Sequence, residues 1–149
     1  MVAWDDFERA APDIARAGRR LLEEADGRPA VAFLATVGGD GRPRMHPFIP
    51  AIVDGALWAF VTPSPKQGDL DRAGLYAIHS TLGPADESFF LSGTARRVDD
   101  AARRAAVATR MPYNDDVDNH ACFEFGVDRV LWTTWTTPTT PQFHRWRAG

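Results

Sequence analysis

Two short stretches hold the residue types that could do chemistry. The first is Thr62-Pro63-Ser64-Pro65-Lys66, where an apolar run gives way to a helix-like pattern. A helix start offers unpaired N–H groups and the positive end of its dipole. With a hydroxyl from Thr62 or Ser64 and the ammonium of Lys66, it makes an anion site suited to a phosphate. A solvated surface lysine is the plainer alternative. The second stretch is Arg44-Met45-His46-Pro47. Backbone groups freed by Pro47 can face a flat heteroaromatic ring instead of a neighbouring strand. A surface edge strand is the plainer alternative. His46 is the one acid–base candidate near such a ring, and no catalytic residue is assigned. Near the C-terminus, Trp146 follows His144 on a polar stretch. A tryptophan there must dock somewhere, either in ordinary packing or on a partner chain.

Other chemistries are excluded by what is missing. The chain has no Gly-x4-Gly-Lys-Ser/Thr loop, no Gly-x-Gly-x-x-Gly and no Gly-x-Ser-x-Gly. His46, His79, His120, His144 and Cys122 are scattered without zinc spacing, so no metal site is expected. The acidic run Asn114–Asn119 fails as a calcium loop, because Val117 falls on a ligand position and no glycine sits where the loop must turn. It reads as a solvated loop.

These stretches need elements to position them. Trp4 to Ala11 reads as a short helix. Pro12 opens a second, with Ile14, Ala17, Leu21 and Leu22 on one stripe and Gly27 as its stop. Residues 1–27 are therefore a helical segment. Residues 30–98 read as the sheet: strands at Ala30–Val37, Arg42–Val53 and Ala56–Val61, joined by turns at Gly38–Gly41 and Asp54-Gly55 into a meander. Pro43, Pro47 and Pro50 require the second strand to be an edge, bulged or broken. A short helix at 66–73 turns Leu70 inward. Strands at Leu75–Thr81 and Glu87–Val98 follow, then a helix over 99–110 capped by Asp99 or Asp100. Residues 121–149 hold strands at Ala121–Phe125 and Arg129–Thr136 and a C-terminal tail. The sum is a mainly β fold with flanking helices and six to seven antiparallel strands; a closed or nearly closed barrel would remove exposed edges, and periodicity alone does not decide between a barrel and a sandwich.

Composition agrees. The chain has 149 residues, 44% of them hydrophobic and 25% charged, which is enough for one domain with a core. A net charge of −3 weighs against nucleic acid as a partner, and no apolar run is long enough to span a membrane. The lone Cys122 and the absence of a signal-like start point to the cytoplasm.

The ordered series resembles the pyridoxamine 5′-phosphate oxidase-like flavoproteins of the split β-barrel type. It comprises Val31–Val37, the Gly39-Asp40-Gly41 turn, Arg42–Pro47, Leu57-Trp58-Ala59-Phe60, Ser64-Pro65-Lys66 with Asp69-Leu70, and Ser92-Gly93-Thr94-Ala95. The likeness runs from Val31 to Val98, with weaker support from Phe123 to Trp146. It implies FMN at a homodimer interface and an FMN-dependent oxidoreductase of unknown substrate. Arg44, Met45, His46 and Pro47 match the strand along the flavin ring. Thr62, Ser64 and Lys66 match the phosphate turn. Ser88 stands where relatives place a glutamine, and His144 and Trp146 match the segment that reaches the other subunit's flavin. Two departures argue against oxidation of pyridoxamine phosphate itself. Pro65 replaces the arginine that precedes the lysine, and the C-terminal basic motif is not recognisable. Losing one charged hydrogen bond, at ~1.5–3 kcal/mol, lowers affinity by one to two decades. The same fold also admits the deazaflavin F420, whose polyglutamate tail would call on Arg42, Arg44 and Lys66. A further alternative is a non-catalytic stress-response protein holding flavin or haem, with His79 or His120 on the iron.

Overall fold

Three prolines decide where the sheet stops. Pro43 and Pro47 lie in β2 (Pro43–Phe48) and Pro50 lies just after it, so these positions have no N–H to offer a further strand. The expected second strand is accordingly broken in two. β2 pairs only with β1 (Ala32–Val37), whereas β3 (Ala51–Val53) pairs only with β4 (Ala56–Val61). The meander is thus two separate hairpins, and proline is the reason.

The computed structural model describes residues 1–113 and 117–149. Among these are nine strands, more than the six to seven expected. The remaining strands are β5 (Leu75–Ser80), β6 (Ser88–Arg97), β7 (Ala121–Phe125), β8 (Arg129–Thr137) and β9 (Thr140–Arg147). All pairings are antiparallel, and the main order is β2-β1-β5-β6-β7-β4-β3. β6 is the branch point. Ser88 to Ser92 pair with β8, whereas Ala95 to Arg97 pair with β7. The order puts β2 and β3 at opposite ends, yet only Ile49 and Pro50 separate them in sequence. Three peptide units reach at most ~11 Å. The sheet must therefore curl until its ends nearly meet, leaving a seam between β2 and the β3–β4 hairpin. This is a split barrel.

The expected C-terminal tail is a strand. Pro138-Thr139 close a hairpin between β8 and β9, with a bulge near Trp135. Trp146 docks within its own chain, its ring 4.9 Å from that of Phe7.

Inside the barrel, Leu34, Leu57, Ile78, Phe89, Leu91, Phe123 and Phe125 are fully buried. They are covered at one end by Trp4 and Phe7 of α1 (Trp4–Ala10) and Leu21 and Leu22 of α2 (Pro12–Leu22). A second apolar layer sets Trp58, Phe60 and Cys122 against Val107 of α4 (Ala101–Ala108), which Asp100 caps by accepting from the Arg103 N–H. β4 is buried along its whole length because it is packed on both faces. No helix among the described residues is long and apolar enough to cross a membrane. The expected acidic loop lies partly outside the described residues.

Gly93 marks the tightest backbone approach in β6. A Cβ there would stand 2.0 Å from the Gly126 carbonyl oxygen, which also accepts the Tyr76 hydroxyl at 2.7 Å. Backbone cannot rotate away as a side chain can. Gly93→Ala should cost about 2–3 kcal/mol of stability, read as a lower urea midpoint with an unchanged slope.

Candidate functional site

The seam holds the cleft. Its volume is about 330 Å³, and its walls are Val31, Pro47, Phe48, Ile49, Phe60, Val61 and Tyr113, with Thr62 and Lys66 at the polar end. The expected residues Pro47, Thr62 and Lys66 are therefore brought together, from β2, the end of β4 and the start of α3 (Pro65–Ala73). Ser64 is the N-cap residue of α3 but does not cap it; its hydroxyl donates to the Thr62 carbonyl at 2.7 Å. Pro65 opens the helix, where a missing N–H costs nothing. Gln67 Nε2 donates to the Val61 carbonyl at 2.9 Å, which clamps the helix start onto the end of β4.

Asp69 anchors the same helix from the other side. Its carboxylate is nearly buried and accepts from Thr36 Oγ1 at 2.9 Å, Arg44 Nε at 3.0 Å and Arg72 Nη1 at 3.3 Å. Arg44 is thus committed to an internal ion pair, and nothing in the cleft's lining comes from it. Burial raises the Asp69 carboxyl pKa, but the Thr36 hydroxyl and the two guanidinium groups outweigh it and hold it below the ordinary value.

His46 sits beside this network on the inward side of β2, opposite Leu34. Its Nε2 is buried with no hydrogen-bond partner among the described residues. Desolvation, then the charges of Lys66 and Arg44, push its pKa below the ordinary value, so the imidazole is neutral at pH 7. A buried ring nitrogen without a partner is costly unless a ligand meets it. Cys122 is no alternative nucleophile: burial pushes its thiol up to about 11. No group of three or more metal-ligating residues gathers among the described residues.

The rest of the expected site lies elsewhere on the sheet, and strand register shows where. One outward row runs Pro47–Phe33–His79–Phe90–Leu131–Arg145, and the next runs Met45–Ala35–Ala77–Ser92–Arg129–Arg147. Met45 is 70% exposed on this face, and Ser88 lies on it opposite Thr133. His144 and Trp146 face the other way. His144 stacks on Trp132 at 4.3 Å under α2, and Trp146 covers Phe7. The outward residues of β9 are instead Phe143, Arg145 and Arg147. β9 is five strand spacings from β2, roughly 24 Å along the sheet.

Sequence reasoning missed the apolar cleft wall, because Phe48, Ile49 and Phe60 look like any core residues. It also missed the outward arginines of β8 and β9. The alternation Phe143-His144-Arg145-Trp146-Arg147 carried that signal, but the Pro138-Thr139 turn lacks the glycine or asparagine that marks a hairpin.

No family model matches the chain, and neither does any curated protein. Solved structures do match. A haem-binding protein from Mycobacterium smegmatis aligns with TM-score 0.65 and 21% identity over 88% of this chain, which spans 57% of that protein's length. A Clostridium acetobutylicum protein related to general stress protein 26, of the pyridoxinephosphate oxidase family, aligns with TM-score 0.63 and 12% identity over 96% of this chain and 95% of its own. An F420 reductase aligns with TM-score 0.57 and 22% identity over 74% of this chain and 92% of its own. The chain therefore has the split β-barrel fold of these proteins. The resemblance read from its sequence holds at the level of fold.

The Asp69 network yields a pH-dependent prediction. A carboxyl held below its ordinary pKa stabilises the fold above that value and ceases to do so as pH falls through the folded-state value. Asp69→Asn should lower stability at pH 7 by roughly 2 kcal/mol. The gap to wild type should narrow progressively below the ordinary carboxyl value of 3.8. Urea titrations of both proteins across pH measure that gap, and a gap that stays constant into acid contradicts the assignment.

Proposed function

We propose that the chain binds FMN in the seam cleft, as a homodimer, and acts as an oxidoreductase through it. The observation that carries this reading is the meeting of Pro47, Thr62 and Lys66 on one cleft. The fit is chemical. Lys66 and the Thr62 hydroxyl suit a phosphate, and Phe48, Ile49, Phe60 and Val61 suit a flat apolar ring. A volume of about 330 Å³ is at the small end for a cofactor pocket, consistent with a site completed by a second copy. FMN, when bound, supplies hydride or electron transfer. The chain's own residues hold the phosphate and exclude water from one ring face. Haem would call on His79 or His120, but neither lines the cleft.

The outward sheet face supports the dimer. Met45, Leu75, Phe143, Val31, Val37 and Phe33 are all exposed, and Ala35, Phe90 and Leu131 lie among them in register. Contiguous apolar surface of this kind marks an association site. A second copy fits because a twofold contact sets the β9 end of one band against the β2 end of the other. That brings the far end of one chain to the cleft of its partner.

Two measurements test the reading. The purified or FMN-titrated protein should show absorption near about 370 and 450 nm. Lys66→Ala should weaken FMN roughly thirtyfold, and unchanged affinity removes the phosphate assignment. For the dimer, Met45→Asp should shift the sedimentation profile from dimer to monomer. A wild-type monomer at micromolar concentration contradicts the two-chain site.

A further inference from the structure

The sheet face that carries the second apolar layer also carries a buried carboxylate. Trp58 of β4, Glu124 of β7 and Arg96 of β6 stand directly across the ladder from one another, so their side chains share one face. Glu124 is only 7% exposed. Arg96 Nε at 2.8 Å and Nη2 at 2.5 Å both donate to its Oε2. Its Oε1 accepts no hydrogen bond among the described residues, although an ionised carboxylate has room for about four donors. Beside it the Trp58 ring is held by its own Nε1–H, which donates to the Val53 carbonyl at 3.1 Å.

Glu124 and Trp58 line a recess of about 470 Å³ that shares no residue with the seam cleft. They are buried and form its floor. Asp5 of α1, Asp54 of the β3–β4 turn and Arg103 of α4 are exposed and form its mouth. The Asp5 N–H donates to the Gly55 carbonyl at 2.9 Å, and the Asp5 carboxylate lies where a Cβ on Gly55 would strike it. That bond fixes one acid over the turn that presents the other. Two further charges are matched internally, Arg9 by Asp6 and Arg96 by Glu124. Asp5, Asp54 and Arg103 form no ion pair among the described residues. The recess thus offers a free carboxylate oxygen at its floor, with two carboxylates and one guanidinium at its mouth.

We propose that this recess binds a small amino acid with a cationic side chain. The side-chain cation reaches Glu124 Oε1 along the Trp58 ring, gaining a charge-assisted hydrogen bond and a cation–π contact. The ligand's ammonium meets Asp5 and Asp54, and its carboxylate meets the Arg103 fork. Charge decides the class. The unmatched mouth groups are net negative by one, and a basic amino acid is net positive by one. A simple anion would face two carboxylates, and a plain diamine would leave Arg103 beside like charge. The inference is independent of the cofactor reading.

Calorimetric titration with L-arginine tests it without any cofactor. Wild type should bind with a Kd of about 1 mM or tighter; no saturable heat at roughly ten times that concentration overturns the proposal. Agmatine has both cations but no carboxylate, and should bind wild type roughly tenfold more weakly. Arg103→Gln should weaken arginine by the same factor and leave agmatine unchanged. Asp5→Asn/Asp54→Asn should weaken both ligands, and asparagine tolerates the φ of 47° at position 54. Glu124→Gln should weaken both at least roughly tenfold. Its Tm is read first, because Arg96 loses its partner; should it not fold, the two mouth variants still decide. Arginine affinity equal to wild type in Arg103→Gln or in the double variant overturns the proposal. Lys66→Ala should bind arginine as wild type does, and loss there would put the ligand in the seam cleft and overturn it equally.

Discussion

The structure turns on a mismatch between sequence distance and sheet distance. β2 and β3 are separated by Ile49 and Pro50 in the chain but by the entire main strand order in the sheet. A link this short tolerates no flat arrangement. Curling follows, and with it an interior for Leu34, Ile78 and Phe123, a branch point in β6 and a seam that never zips. The cleft is the seam seen from outside. Its apolar walls come from β2, the β2–β3 link and the end of β4, and its polar end is where α3 begins.

Two clamps hold that polar end. Gln67 ties the first turn of α3 to the carbonyl at the end of β4, and Asp69 ties the second turn to β1 through Thr36 and to β2 through Arg44. Lys66 immediately precedes Gln67 in sequence. The helix start that carries Lys66 is therefore tied to strands on both sides of the seam. Arg44, which the sequence offers as a ligand contact, is spent on this scaffold. Its charge still acts on the site at a distance, since it helps Lys66 keep His46 neutral.

Much of this was legible in residues with few conformational options. Proline, the Asp54-Gly55 turn and the β-prone run Ala30–Val37 located the strands, and Pro65-Lys66 located the short helix to within a residue. Reading failed where tertiary context supplies the meaning. Nothing local says that β2 leaves one edge and β3 joins the opposite one. Nothing local says that Asp69 reaches Thr36 across 33 positions. The C-terminal strand was hidden by a turn of unusual composition, and missing it also hid its parity. Once β9 is a strand, His144 and Trp146 must share one face and Phe143, Arg145 and Arg147 the other, so the missing hairpin and the displaced site residues are one omission.

The three prolines have a consequence beyond the cleft. An exposed strand edge is a template on which any extended peptide can add itself, and a barrel that stays open along one line presents such an edge permanently. Here the rim strand lacks amide hydrogens at Pro43 and Pro47, so a foreign chain finds the row of donors interrupted and gains little by aligning there. The opening is thereby shielded from edge-to-edge pairing without having to be closed.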